Sequence, residues 1–229
     1  MQVSDFIPYL KRIMNPMNNI VLSIANASHT LDKQVSRIES AFKRASETAT
    51  TLLELSSIDV ICIDDPSQVI PEIGVSGFTP NRHLVYLYVD SNVALDEKDI
   101  YATLIHEFAH AKRYDGQGFG STLFDSIIFE GLGVALEEET SGDNGTFLSN
   151  YLKNQDNKAL LGQIASHFGD HEFNRFHWFI EESDDLLRWT GYRVGYYIVT
   201  EYMKKTNKKA SELLMEDFET FREFVSVQS

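Results

Sequence analysis

An apolar run leads directly into an H-E-x-x-H pattern in the stretch Ile100-Tyr101-Ala102-Thr103-Leu104-Ile105-His106-Glu107-Phe108-Ala109-His110. On an α-helix, residues four positions apart lie about one turn apart on the same face, so His106 and His110 can bind one metal ion. Glu107 is offset from that face and can reach a water at the ion without being a ligand. Two imidazoles leave room for a third protein ligand and the water. The stretch therefore predicts a catalytic zinc site on a helix.

The flanks of this stretch decide between a metal site and a chance histidine pair. A chain of this composition and length contains H-E-x-x-H by accident in about two cases per hundred. The motif would then be a chance histidine pair on a solvated helix face. Here the preceding segment is apolar and predicts a buried helix. Asp96-Glu97-Lys98-Asp99 supplies an N-cap and an acidic first turn, and Asp115-Gly116 supplies a stop. We therefore predict an active-site helix from about Asp96 to Tyr114, and a metal site on it.

Composition and charge restrict the classes of partner. The chain has 229 residues and a formal net charge of −14, which disfavours nucleic acid and anionic membranes as main partners. No apolar run approaches eighteen residues, and the first residues lack the pattern of a secretory signal. The single cysteine, Cys62, lies in an apolar run and fits a small core residue in a reducing compartment. We expect a cytoplasmic protein that binds neither nucleic acid nor membrane, with its oligomeric state open.

Hydrophobic periodicity predicts an α+β fold, with a small sheet in the first half and a mainly helical C-terminal half. Helical spacing runs from about residue 30 to 55, and β-branched runs at 58–63 and 83–89 indicate strands. Residues 66–82 are rich in proline and glycine, which indicates a loop with at most a short strand. Further helices are predicted at 96–114, 122–140, 146–155, 157–168, 172–182, 185–205 and 209–226.

We expect one metallopeptidase-like domain spanning residues 1–229. Its parts are an N-terminal helical segment (1–55), the sheet with the metal-site helices (56–140) and a helical part (141–229). Within the N-terminal segment, residues 1 to about 18 indicate a short amphipathic element interrupted by Pro8 and Pro16. The glycine-rich stretch 116–120 has no phosphate-loop spacing, so it indicates a linker or a mobile loop near the cleft.

Glu130 is the best candidate for a third metal ligand. It lies on the next predicted helix and is an isolated charge in an apolar stretch. A carboxylate in such surroundings needs a metal or a cationic partner, because burying it alone is expensive. Asp115 is nearer in sequence, but it would need a sharp turn back toward the ion. The alternative is that Glu130 pairs with a buried arginine.

These motifs resemble those of gluzincin metallopeptidases, in which the two histidines of H-E-x-x-H and a downstream glutamate hold zinc. The stretches H-E-F-A-H-A, F-E-G-L and G-Y-R-V-G-Y, at positions 106–111, 129–132 and 191–196, are more closely similar to an uncharacterised family of predicted Zn-dependent proteases. The resemblance covers roughly residues 80–205. Metzincins are excluded, since Arg113 and Gly116 stand where their glycine and third histidine would be. The acid that follows the thermolysin glutamate by four residues is absent, because that position is Val134.

The resemblance implies a mechanism of peptide hydrolysis. One zinc ion per chain would activate a water and polarise the scissile carbonyl, with Glu107 as general base. Gluzincins stabilise the oxyanion with a tyrosine or histidine, which points to Tyr196 or Tyr192, with Arg193 adjacent; the alternative is that both tyrosines are core aromatics. The strand at 84–89 matches the position where such enzymes present an edge to an extended peptide.

Two further hypotheses on function remain beside peptide hydrolysis. One is a catalytically silent zinc-binding module with a regulatory or interaction role, and the other is a zinc hydrolase of non-peptide amides. A second histidine cluster, His167 and His171 with Glu172 and His177, is interrupted by a glycine and predicts surface or capping histidines rather than metal ligands. The principal prediction is a zinc metallopeptidase that acts on a peptide or protein substrate.

Overall fold

A computed structural model describes residues 10–15, 19–153, 156–183 and 186–228. The predicted amphipathic element around Pro8 and Pro16 lies outside the described residues, apart from its central stretch 10–15. The chain forms two compact units, Met1–Ala111 and Lys112–Ser229, and the boundary between them falls within one helix. In the part of the chain that the structure describes, every helix is too short or too polar to cross a membrane.

The first unit is built on a five-stranded sheet with the order β1-β2-β3-β5-β4. The three central strands β2, β3 and β5 are parallel, and an antiparallel strand flanks them on each side. The strands span Leu10–Asn15 (β1), Ile20–Ala25 (β2), Ile58–Asp64 (β3), Val75–Asn81 (β4) and Leu84–Val89 (β5). The predicted strands at 58–63 and 83–89 are confirmed, and so is the α+β class.

The N-terminal segment contributes strands as well as a helix, so its prediction as a helical segment is wrong for Leu10–Asn15 and Ile20–Ala25. Ile20, Leu22 and Ile24 are fully buried, and β2 pairs in parallel with β3. A β-branched run buried in this way fits the centre of a sheet. Residues 20–25 form a short and mostly apolar run without an alternating pattern, which explains the error for β2.

The position of β5 corrects a second prediction. We expected the strand at 84–89 to present an edge, but β5 pairs with β3 on one side and with β4 on the other. Among the described strands, β4 is paired with β5 alone and is therefore an edge strand; on its outer side, Val75 makes an isolated bridge to Ile70. Its sequence, Val-Ser-Gly-Phe-Thr-Pro-Asn, contains a proline and a glycine, which an edge strand tolerates and a central strand does not.

Two helices complete this unit. Helix α1, Val35–Leu53, buries a stripe of Ile38, Phe42, Ala45 and Ala49 at helical spacing, as the periodicity predicts. Helix α2, Glu97–Arg113, carries the H-E-x-x-H pattern and agrees with the predicted bounds within one residue at each end. The Asp96 side chain accepts a hydrogen bond from the Lys98 N–H at 2.9 Å, which confirms the predicted N-cap.

The second unit is helical, as predicted. Its central helix α3, Leu123–Ser141, is buried from Leu123 through Glu137. A capping box holds its first turn, in which the Asp125 N–H donates to Thr122 Oγ1 and the Thr122 N–H donates to an Asp125 carboxylate oxygen. The remaining helices are Phe147–Lys153 (α4), Asn157–Ile164 (α5), Arg175–Phe179 (α6), Thr190–Thr206 (α7), Ala210–Leu213 (α8) and Phe218–Gln228 (α9).

Helices α3 and α7 cross at a point where both backbones carry glycine. A Cβ added to Gly131 would lie 2.2 Å from the Gly195 carbonyl carbon, and one added to Gly195 would lie 2.0 Å from the Ile127 oxygen. Real side chains never approach so closely. Gly195, which precedes Tyr196 in the G-Y-R-V-G-Y motif, therefore lets α7 pack closely against α3.

The C-terminal region is broken into shorter pieces than predicted. The expected helix at 209–226 is divided into α8 and α9, with a break around Leu214–Asp217. Arg113, which is fully buried, donates from Nη1 to the Leu214 and Glu216 carbonyls at 2.6 and 3.2 Å. These carbonyls accept from a side chain 101 and 103 positions away, and Asp217 accepts a hydrogen bond from the Glu219 N–H at the start of α9.

Candidate metal centre

The H-E-x-x-H histidines lie on one face of α2. His106 and His110 are 6% and 5% exposed, and their ring centroids are 4.5 Å apart with the ring planes at 89°. The apolar residues next to them in the sequence are also buried, and Ile105 and Phe108 are fully covered. Two neighbouring imidazoles in a dry environment are suited to a divalent ion of borderline softness, such as zinc.

The general-base candidate Glu107 is held by the edge strand β4. Thr79 Oγ1 lies 2.6 Å from Glu107 Oε2 and donates a hydrogen bond to that carboxylate. The same hydroxyl is 3.1 Å from the Glu107 carbonyl oxygen. Gly77, on the same strand, lies against the side chain so closely that an added Cβ would be 2.4 Å from Glu107 Cγ. Glycine at position 77 leaves the space that this carboxylate fills.

Glu130 joins the histidines as the sequence predicts. It is 2% exposed on α3, and His106, His110 and Glu130 each offer one ligand atom within 4.8 Å of the other two. Atoms that share one ion at metal-ligand distances are separated by about 3 to 4 Å, so this donor set is close to what a single zinc requires. Two imidazoles and a carboxylate are also the chemical set found in catalytic zinc sites. The residues present therefore fit a zinc ion.

Glu130 also has a cationic partner. Arg175 Nη2 donates to Glu130 Oε1 in a charge-assisted hydrogen bond. From the sequence, Glu130 is either a metal ligand or the partner of a buried arginine. The structure shows an ion pair with Arg175, which is 43% exposed rather than buried, and it also places Glu130 beside the two histidines. A carboxylate has two oxygens, so an ion pair through one of them is compatible with a metal bond through the other.

The predicted oxyanion residues lie on α7 and already make contacts there. The Tyr196 hydroxyl donates to a Glu138 carboxylate oxygen, and burial together with this hydrogen bond raises the pKa of the phenol. The Tyr192 ring meets the Phe179 ring edge-on with centroids 5.7 Å apart. Arg193 donates from Nε to the Arg188 carbonyl at 2.8 Å. Their assignment to the oxyanion stays a prediction.

The second histidine cluster does not form a metal site. Among the described residues, the three-ligand group suited to a metal consists of His106, His110 and Glu130. His167 pairs with Asp170 at 2.9 Å, while His171 Nδ1 contacts the Ser121 carbonyl oxygen at 3.0 Å. His177 pairs with Glu181 at 3.1 Å. These histidines serve local contacts on a largely exposed surface, in agreement with the sequence prediction.

Cys62 is a core residue, as expected. It is fully buried on β3. Burial, with the nearby Asp64 charge, raises the pKa of its thiol to about 12. A thiol that stays protonated at neutral pH is a poor nucleophile.

Sequence reasoning missed three residues that adjoin the site: Gly77, Thr79 and Arg175. Gly77 and Thr79 lie in the stretch 66–82, for which the sequence predicts a loop with at most a short strand, and Thr79 is 28 positions from Glu107. Arg175 is 45 positions from Glu130. Pairing over such distances carries no periodic signal. One pattern could have indicated a strand beside the site. In residues 77–81, small or polar residues alternate with the apolar Phe78 and Pro80.

An α+β fold with an H-E-x-x-H helix and a buried His-His-Glu donor set defines a protein of the zinc-protease class. Residues 32–223 match the family described as predicted Zn-dependent protease (DUF2268). This match covers most of the chain, and the protein belongs to that family. The family resemblance expected from the three sequence motifs is confirmed.

The structure is also similar to that of an aminopeptidase N family protein from Idiomarina loihiensis. The TM-score is 0.51 at 15% sequence identity, with 94% of this chain and 40% of the other covered. The similarity covers two fifths of the length of that protein, and it concerns the fold alone. Comparison with curated proteins gives no significant match.

Proposed function

We propose that this protein is a zinc-dependent peptidase of gluzincin type. The observation that carries the proposal is the buried donor set of His106, His110 and Glu130, with Glu107 on the same helix turn and fixed by the edge strand. Membership in a family of predicted Zn-dependent proteases supports the same conclusion. The burial of Cys62 is consistent with the cytoplasmic location that we propose for the enzyme.

Each protein group has a separate role in the proposed reaction. His106, His110 and Glu130 hold one zinc ion, which supplies Lewis acidity toward a water and a carbonyl. Glu107 removes the proton from the attacking water and later delivers it to the leaving amine. Thr79 holds Oε2 of this carboxylate, so we assign the proton to Oε1. The short hydrogen bond also fixes the carboxylate plane before substrate arrives, which is a form of preorganisation.

We infer that an extended peptide binds along β4 rather than β5. Strand β4 is the edge strand, and its Gly77 and Thr79 lie against the Glu107 side chain. A peptide paired with this edge would lie beside the general base, with its backbone satisfied by main-chain hydrogen bonds. Phe78 is 54% exposed, which leaves it available for an apolar substrate side chain. An open edge beside Glu107 favours peptides over small non-peptide amides.

The oxyanion donor is proposed to be Tyr192 or Tyr196, as the resemblance to gluzincins implies. Tyr196 would have to give up its hydrogen bond to Glu138 to serve in this role. Tyr192 is only partly buried and would need no such exchange with Glu138. Separate phenylalanine substitutions distinguish the two, because the residue that stabilises the oxyanion lowers kcat far more than the other.

The proposed function is tested with Glu107→Gln. The amide keeps the size and one oxygen of the carboxylate but cannot take a proton, so we expect unchanged zinc content and a loss of peptide hydrolysis of about 10²-fold or more. Zinc is measured by elemental analysis and hydrolysis with a fluorogenic peptide library. Glu39→Gln, a substitution on α1, serves as the control for the loss of one negative charge.

The two alternative functions give different results in this experiment. Stoichiometric zinc without hydrolysis of any peptide in the wild type would indicate a zinc-binding module. Hydrolysis of acyl-amide probes but not of peptides would indicate a non-peptide amidase. Activity retained in Glu107→Gln would remove Glu107 from the mechanism.

A further inference from the structure

The third proposed metal ligand is held by a partner from another helix. Arg175, the first residue of α6, donates through Nη2 to Oε1 of Glu130. The contact uses one carboxylate oxygen and one guanidinium nitrogen. Glu130 is 2% exposed, so its carboxylate has almost no water to orient it. A charge-assisted hydrogen bond in such surroundings defines the direction of the carboxylate.

Aromatic rings fix the guanidinium in turn. The Arg175 Cζ atom lies 4.6 Å from the ring centroid of Phe119 and 4.8 Å from that of Phe179. Cation–π contacts of this kind favour one position of an otherwise flexible side chain. Phe119 also packs edge-on against Phe129, which precedes Glu130, with centroids 5.0 Å apart. The glycine-rich stretch 116–120 thus contributes an aromatic cover to this arrangement.

We propose that Arg175 is a positioning residue for the metal centre, which orients the Glu130 carboxylate so that its other oxygen faces the ion. This inference rests on the proposed function, since it assumes that Glu130 binds zinc. Partners of this kind in metalloproteins raise affinity by restricting the ligand to its bound geometry. Lysine would supply the charge but not the planar face that lies against Phe119 and Phe179.

The positive charge of Arg175 opposes this effect, so the sign of its net contribution needs an argument. A cation near the site repels the metal, but Arg175 is 43% exposed and solvent screens its charge. The hydrogen bond to Glu130 is short-range and acts on a buried group. Orientation therefore outweighs repulsion, and removal of the guanidinium weakens zinc binding.

The test is zinc affinity of the full-length protein, measured by competition with a chromophoric chelator. We expect Arg175→Met to raise the zinc Kd by roughly 10- to 100-fold, in the range known for partners of metal ligands. Arg175→Lys should give an intermediate value. The visible spectrum of the Co²⁺ form provides a readout without turnover, and it should change in Arg175→Met because the ligand geometry relaxes.

Arg222 of α9 offers a matched control, because its partner lies on α3, the helix that carries Glu130. It pairs with Asp125 of α3 at 3.3 Å and lies 4.4 Å over the Phe124 ring, but Asp125 is not part of the donor set. Arg222→Met should lower the melting temperature and leave the zinc Kd and the Co²⁺ spectrum unchanged. A general loss of stability would affect both variants alike, whereas a positioning role separates them.

The outcomes distinguish this inference from the proposed function. If the wild type binds no zinc, the proposed function fails and the role of Arg175 fails with it. If the wild type binds zinc and Arg175→Met binds it equally or more tightly, the positioning role is wrong and the proposed function stands. If Arg175→Met does not fold, Arg175→Lys provides the test. A zinc Kd and a Co²⁺ spectrum equal to those of the wild type in Arg175→Lys would overturn the role assigned to the planar guanidinium.

Discussion

At the scale of single residues, the general base depends on two small side chains of β4. Gly77 provides the space for the Glu107 side chain, and Thr79 provides a hydrogen bond to Oε2 at 2.6 Å. Both groups are buried or partly buried, so water does not compete strongly with them. The direction of the Glu107 carboxylate is consequently fixed by the edge strand and not by α2 alone.

Thr79→Val tests this dependence, because valine keeps the shape of threonine and removes only the hydroxyl. A hydrogen bond to a charged group contributes about 1.5–3 kcal/mol, so we expect kcat/KM to fall by roughly tenfold to a hundredfold. Zinc content should not change, since Thr79 is not a ligand. Thr51→Val, at an exposed helix position where the hydroxyl bonds only the Glu47 carbonyl, is the control. Equal activity in the two variants would contradict the role of Thr79.

At the scale of elements, the contact of α3 with α7 requires glycine at both crossing positions. Gly131 follows the metal-ligand candidate Glu130, and Gly195 precedes Tyr196. The distances of 2.2 and 2.0 Å that an added Cβ would have to backbone atoms leave no space for any side chain. The backbone of a packed helix cannot move aside as a flexible side chain does, so the two helices would have to separate.

Gly195→Ala is therefore expected to destabilise the protein by about 2–4 kcal/mol. The cost of overpacking exceeds the stabilisation that the higher helix propensity of alanine would give. Gly162→Ala is the matched control, because Gly162 lies in helix α5 and an added Cβ there meets no atom within 4 Å. That variant should be neutral or stabilised by up to about 1 kcal/mol. Urea denaturation in the absence of metal measures both. Similar midpoints for the two variants would show that the crossing can relax.

Strand β4 illustrates why the sheet was only partly predictable. Its Gly77 and Pro80 are typical of loops, and the register with β5 shifts between Phe78 and Asn81. Edge strands accept such residues because one side of their backbone needs no partner. The sequence predicted β5 correctly as a strand and wrongly as an edge, since its position in the sheet depends on which strand lies beside it.

At the scale of the whole molecule, metal binding is coupled to folding. The donor set combines His106 and His110 of α2 with Glu130 of α3. Glu130 is 20 positions from His110 and further from His106. An unfolded chain does not keep three such groups together, so zinc binds the folded state preferentially. A ligand at 1,000 times its Kd stabilises the state it binds by about 4 kcal/mol.

We expect the melting temperature of the metal-free protein to rise by roughly 5–15 °C when zinc is added at such a concentration. The rise should be lost in His106→Ala and reduced in Glu130→Ala. His171→Ala is the control, since this exposed histidine contacts the Ser121 carbonyl and lies outside the donor set. A rise of equal size in Glu130→Ala would exclude Glu130 as a ligand, and no rise in the wild type would exclude the zinc site.

The sequence alone determined the features that depend on neighbours along the chain. The spacing of His106, Glu107 and His110 on a predicted helix, and the isolation of Glu130 in an apolar run, follow from helical periodicity and the cost of burying a charge. Only the tertiary structure decided which strand forms the edge, that Thr79 holds Glu107, and that Arg175 holds Glu130. These contacts join residues many positions apart, and their partners are selected by packing of the folded chain rather than by any local pattern.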